Sequence, residues 1–127
     1  MNDRPTAEEL LGALERFLRE QVVPVLDGPR RFHARVAANV AGIVAREIAR
    51  GDADLRAEWA GLAGLLGREG PAPPDAGALR AAVEDANREL VRRIRAGAAD
   101  AGPWRADVIA HLKQTVAAKL AVSLPPR

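Results

Sequence analysis

The chain has 127 residues, enough for one small domain with its own core. It has no cysteine, which excludes disulfides, thiolate metal sites and thiol nucleophiles, and two histidines alone do not make a zinc site. Its 19 basic and 17 acidic residues nearly balance, so it lacks the dense basic stripe of a nucleic-acid binder.

The N-terminal segment MNDRPTAEEL has no basic region followed by an apolar run, so a secretory signal is not expected. No stretch reaches about 18 uninterrupted apolar residues, so no membrane span is expected and a cytoplasmic location follows by default. Abundant Ala, Arg, Gly and Pro, with little Lys, Tyr or Asn, suggest a GC-rich bacterial genome.

The first predicted helix runs from Ala7 to about Val22. Thr6 and Glu9 have the spacing of a capping box. Leu10, Leu14, Phe17 and Val25 form a stripe with Leu11, Leu18 and Val22. Pro24 lacks an amide hydrogen and should kink or end the helix near Val23. A second helix is expected from Pro29 to about Arg50, ended by Gly51 as a left-handed cap. Its apolar arc is wide: Phe32, Val36, Val40, Ile43, Val44 and Ile48, flanked by alanines, and the arc is expected to face inward. His33, Asn39 and Glu47 interrupt it. Gly42 and the alanines permit a neighbour to approach closely.

A third helix is expected from Leu55 to Leu66, capped by Asp52 or Asp54, stopped by Gly67, and carrying no candidate chemistry. The segment 67–77, GREGPAPPDAG, reads as a semi-extended loop. A fourth helix is expected from Ala78 to about Ala96 with Asp75 as cap and Leu79, Val83, Ala86, Leu90 and Ile94 inward. Asn87 shares that face, while Glu84 with Arg88 and Glu89 with Arg93 lie four apart on the outer one. Gly102-Pro103 opens the fifth helix, Trp104 to Val122. Its arc of Trp104, Val108, Ile109, Leu112, Val116 and Leu120 is expected inward, with a polar seam of His111, Thr115 and Lys119 on or beside it. No period-two alternation bounded by hairpin turns is seen. The expected fold is all-α: a single five-helix bundle-like domain over residues 1–127, with helices two and five central.

Three constellations carry any chemistry. The first joins His111, Thr115 and Lys119 with His33, Asn39, Glu47 and Asn87. Desolvation lowers a lysine pKa, so such a pocket would hold a base or nucleophile with a histidine to move the proton. The plainer reading is a satisfied polar network in which Lys119 pairs with Glu47, or a lysine that snorkels to water. The second is Arg30, Arg31, His33 and Arg35 at a helix start, suited to an anion, or else paired with surface acids. The third, Arg88, Arg92, Arg93 and Arg95, is interleaved with acids and reads as a solvated face, so no nucleic-acid partner is expected. No nucleotide, hydrolase or metal motif is present, and no cofactor is expected.

The segments RPTAEELL, RRFHARVAANVAGIVARE, NRELVRRIRAG and HLKQTVAAKLAVSLP resemble, block by block, an uncharacterised family of small bacterial helical proteins. Members of that family often sit in gene neighbourhoods beside aminoglycoside-phosphotransferase-like and acyl-CoA dehydrogenase-like enzymes. The resemblance supplies no catalytic residues. It implies an accessory role beside enzymes of acyl-CoA or phosphoryl chemistry, and the abundant small residues and apolar stripe edges suit a non-enzymatic interaction protein, as a homodimer or as a partner of the neighbouring phosphotransferase-like enzyme. The alternative is a site for acyl-CoA or a phosphorylated ligand, built on His33, Arg35, Asn39, Glu47, Asn87, His111, Thr115 and Lys119.

Overall fold

The computed structural model describes residues 3–124, which form helices and connecting loops with no strand among them. Among the described residues there are four α-helices, not the expected five: α1 (Ala7–Phe17), α2 (Gly28–Leu66), α3 (Ala76–Arg95) and α4 (Pro103–Ser123). The difference lies at Gly51. The expected helices two and three are one helix of 39 residues. Gly51 keeps right-handed helical geometry, whereas Gly67 and Gly97, which do stop helices, have φ of 66° and 91°. A helical glycine costs only about 1 kcal/mol relative to alanine, too little to break a helix with support on both sides. Asp52 and Arg56 add an i,i+4 pair at 3.0 Å just beyond it.

The chain divides into two compact units, and within α2 the boundary in sequence follows Gly51. One comprises residues 1–51 and 120–127, the other residues 52–119.

In the first unit, α1 begins with the expected capping box: Glu9 N–H donates to Thr6 Oγ1 at 3.2 Å and Thr6 N–H to Glu9 Oε2 at 2.8 Å. Before Pro24 the helix widens into a π turn (Leu18–Val22), then tightens into a 3₁₀ turn (Val23–Val25). The proline has no N–H to donate and crowds the carbonyl four residues earlier, so the regular ladder cannot continue. On α2 the buried side is built from small residues, Ala34, Ala38, Ala41 and Gly42. Glu15 of α1 occupies the space a Cβ on Gly42 would need. Arg46 Nε donates to the Val122 carbonyl at 2.7 Å, satisfying an acceptor left free in the last turn of α4.

In the second unit the core is Leu62 and Leu66 of α2, Leu79, Val83, Ala86 and Leu90 of α3, and Val108 of α4. Leu55, Trp59, Leu65, Ala72, Ile94 and Trp104 pack against it. Trp104 keeps its indole N–H satisfied by donating to the Leu65 carbonyl at 3.0 Å. Asp75 caps α3 through the Ala78 N–H at 2.8 Å. The inward face of α3 is the one its spacing gives.

The expected inward arcs of the second and last helices are corrected. On α2, Phe32, Val36, Val40, Val44 and Ile48 are exposed. On α4, Ile109, Leu112, Val116 and Leu120 are exposed, while Val108, His111 and Val122 are buried and Trp104 and Thr115 half-buried. Close approach on α2's alanine and glycine side leaves no room for bulk there, so the larger apolar side chains point away from it. The expected central pair of helices, two and five, is likewise replaced in the second unit. Its core rests on residues 55–66, on α3 and on the start of α4.

Candidate functional site

The polar seam of α4 does enter the interior, but as far as His111 and Thr115. His111 is 8% exposed, and its ring sits where a Cβ on Gly61 of α2 would be. Gly61 is therefore glycine for space rather than for backbone conformation. Burial lowers the His111 pKa below its ordinary value, and the nearby Glu58 carboxylate partly opposes that shift.

Glu58 is the hub. Its side chain is 12% exposed. It accepts a hydrogen bond from Asn87 Nδ2 of α3 at 2.9 Å. Lys119 Nζ lies 3.8 Å from the same Oε1, with its own side chain 67% exposed. The arrangement is a half-buried carboxylate held by an amide, with a cation standing at its solvent side and a neutral-leaning imidazole behind it. An amide, an imidazole and a cation thus surround a carboxylate that α2 turns inward.

Of the residues singled out from the sequence, Asn87, His111 and Lys119 gather around Glu58, and Thr115 is half-buried on the same face of α4. The other four belong to the first unit. His33 is exposed and meets Phe32 edge-on, with ring centroids 5.6 Å apart. Arg35 is exposed. Asn39 accepts from Arg19 Nη2 at 2.6 Å, and Arg19 also pairs with Glu15 at 3.1 Å. Glu47 is exposed and lies over Gly51, so the carboxylate facing Lys119 is Glu58, not Glu47. The segment thought to carry no chemistry supplies both Glu58 and Gly61. Glu58 stands four residues before Leu62 on the inward stripe, and that spacing was its one signal in the sequence.

The arginines of α3 are a solvated face. Glu89 bonds Arg92 and Arg93, which hold its carboxyl below the usual range, and Arg88 lies 3.9 Å from Glu84. Asn87, Arg88, Val91, Arg92 and Arg95 border an open depression of about 350 Å³. Among the described residues no cluster of His, Cys, Asp or Glu is placed to hold a metal ion. No helix is long and apolar enough to cross a membrane.

The family match covers α2, α3 and α4. The chain belongs to the DUF6285 family, a domain of unknown function, matched over residues 24–126. Both the Glu58 cluster and the exposed stripe of α2 fall inside the DUF6285 span, and α1 lies before it. No curated protein and no solved structure matches the chain.

Proposed function

We propose that this DUF6285 chain is a non-enzymatic accessory protein that works by protein–protein interaction. The observation that carries this reading is the outward set of large aliphatic side chains. Phe32, Val36, Val40, Val44 and Ile48 are exposed in the first unit, and Ile109, Leu112 and Val116 in the second. An exposed apolar patch of a few hundred Å² on either unit marks an interaction surface. In this reading it is a cytoplasmic bacterial factor, and its partners are a second copy or the phosphotransferase-like and acyl-CoA dehydrogenase-like enzymes that the family resemblance sets beside it. The test is the solution mass of the purified chain, alone and mixed with such an enzyme, for wild type, Val40→Arg and Val116→Arg. Association that one of the charged variants abolishes is the expected result. A strict monomer that binds neither enzyme overturns the reading.

A second reading rests on the convergence of Asn87, His111 and Lys119 on Glu58, which is also how a site for acyl-CoA or a phosphorylated ligand would be furnished. Its test is a thermal-shift titration with coenzyme A esters and phosphorylated ligands. A rise in Tm lost in Lys119→Met is expected if the site binds, and no shift at saturating ligand removes it.

A further inference from the structure

We infer that the exposed stripe of α2 is a two-fold interface, on which a second copy of this chain docks antiparallel with the symmetry axis at Val40. This rests on the interaction-module reading above and names its partner and register.

The stripe lies entirely within the first unit. Phe32, Val36, Val40, Val44 and Ile48 follow one another at intervals of four and are 63%, 41%, 52%, 40% and 52% exposed. They run about 24 Å along the helix. Together they expose on the order of 400 Å² per copy. A standard interface takes about 800 Å² from each partner. A little over half of such an interface is non-polar, so the stripe is of the size of its apolar part.

About Val40 the stripe is matched in apolar character, with Val36 and Val44 on either side and Phe32 and Ile48 at its ends. An isologous contact requires that residue i meet j and j meet i. With the axis at Val40, positions summing to eighty face one another. Phe32 then meets Ile48, Val36 meets Val44, and Val40 meets Val40. The bulky Ile43 faces the small Ala37. Of the three polar residues that interrupt the stripe, two pair across the axis, His33 with Glu47 of the second copy, while Asn39 accepts from Arg19 of its own chain. Within one chain neither His33 nor Glu47 has a hydrogen bond or ion pair among the described residues. Each therefore has donor or acceptor capacity open to the other copy. Arg46, the cation next to Glu47, is committed to the Val122 carbonyl instead. A parallel pairing would set Glu47 against Glu47 and His33 against His33, which disfavours it.

The chain has no cysteine, so single cysteines report the register directly. Three measurements are made on the full chain: sedimentation equilibrium of wild type, Val40→Arg and Val116→Arg; oxidative cross-linking of Val40→Cys; and cross-linking of His33→Cys mixed with Glu47→Cys. The expected result is a wild-type dimer whose dissociation constant rises about a hundredfold or more in Val40→Arg, where two like charges meet on the axis. A wild-type dimer that Val116→Arg dissolves and Val40→Arg does not overturns this interface. Val40→Cys forms a disulfide dimer, and the His33→Cys with Glu47→Cys mixture forms a mixed one. His33→Cys alone forms none, since its copies lie about 21 Å apart. Unchanged helical circular dichroism shows that the charged variants are folded. A monomeric wild type overturns the inference. A dimer that survives Val40→Arg, or that cross-links through His33→Cys alone, overturns this interface and leaves the interaction-module reading standing on another surface.

Discussion

The ring of His111 fills the space directly above Gly61, so that a single methyl group on α2 would collide with the imidazole of α4. Two opposed effects meet in Gly61→Ala. Alanine raises helix propensity by about 1 kcal/mol, and forcing a methyl into a filled site costs about 1–3 kcal/mol. The collision is expected to win, with a net loss of about 1–2 kcal/mol in urea denaturation. In a His111→Ala background the space is empty, and Gly61→Ala is expected to become neutral or stabilising. Additive effects of the two substitutions would contradict the contact.

The same burial makes stability depend on pH. His111 has a folded pKa below its unfolded value. Below about pH 6.5 the unfolded chain takes up a proton there that the native chain does not. Stability is therefore fully present above the unfolded pKa and is lost as pH falls through the folded one. Urea midpoints of wild type are expected to drop more between about pH 7.5 and about pH 5 than those of His111→Gln. Parallel curves would remove the assignment.

Glu58 and Lys119 are expected to behave very differently although they face each other. Glu58→Ala removes a nearly buried carboxylate and leaves the Asn87 amide without its acceptor, at a cost of about 1–3 kcal/mol. Lys119→Met removes an exposed cation at 3.8 Å and is expected to lie within about 0.5 kcal/mol of wild type. Chemical denaturation of both variants decides this. A large loss on Lys119→Met would mean a tight, desolvated pair.

Gly51 separates a continuous helix from two helices. In the continuous α2 it has helical geometry, and a Cβ there meets only the flexible end of Glu47 at 3.2 Å. Gly51→Ala is expected to stabilise by about 0.4–1 kcal/mol. Gly67→Ala, at φ 66°, is expected to destabilise by about 1 kcal/mol or more. Destabilisation by Gly51→Ala would restore a cap at that position.

These cases show which parts of the molecule can be read from sequence. Thr6 with Glu9, Asp75 with Ala78, and the stops at Gly67 and Gly97 were legible because a cap is settled within four residues. The inward face of α3 was legible because its bulky residues are also its buried ones. Gly51 was not, since glycine permits both a left-handed cap and a helical interior, and the choice depends on what supports the flanking turns. The facing of α2 and α4 was not, because a helical wheel shows where the large apolar side chains lie but not whether small ones opposite them allow closer packing. Half of the candidate site was legible, in Asn87, His111 and Lys119. Its hub was not, because Glu58 looks like any surface glutamate until α3 and α4 bring an amide and an imidazole to it.

In the proposed dimer the bulky outward face of α2 meets the same face of a second copy. Sedimentation equilibrium of the wild-type chain beside Val40→Arg tests it most directly. Wild type is expected at twice the 13.5 kDa chain mass and Val40→Arg at the single-chain mass, at equal helicity. A wild type that stays at the single-chain mass up to high micromolar concentration would contradict it.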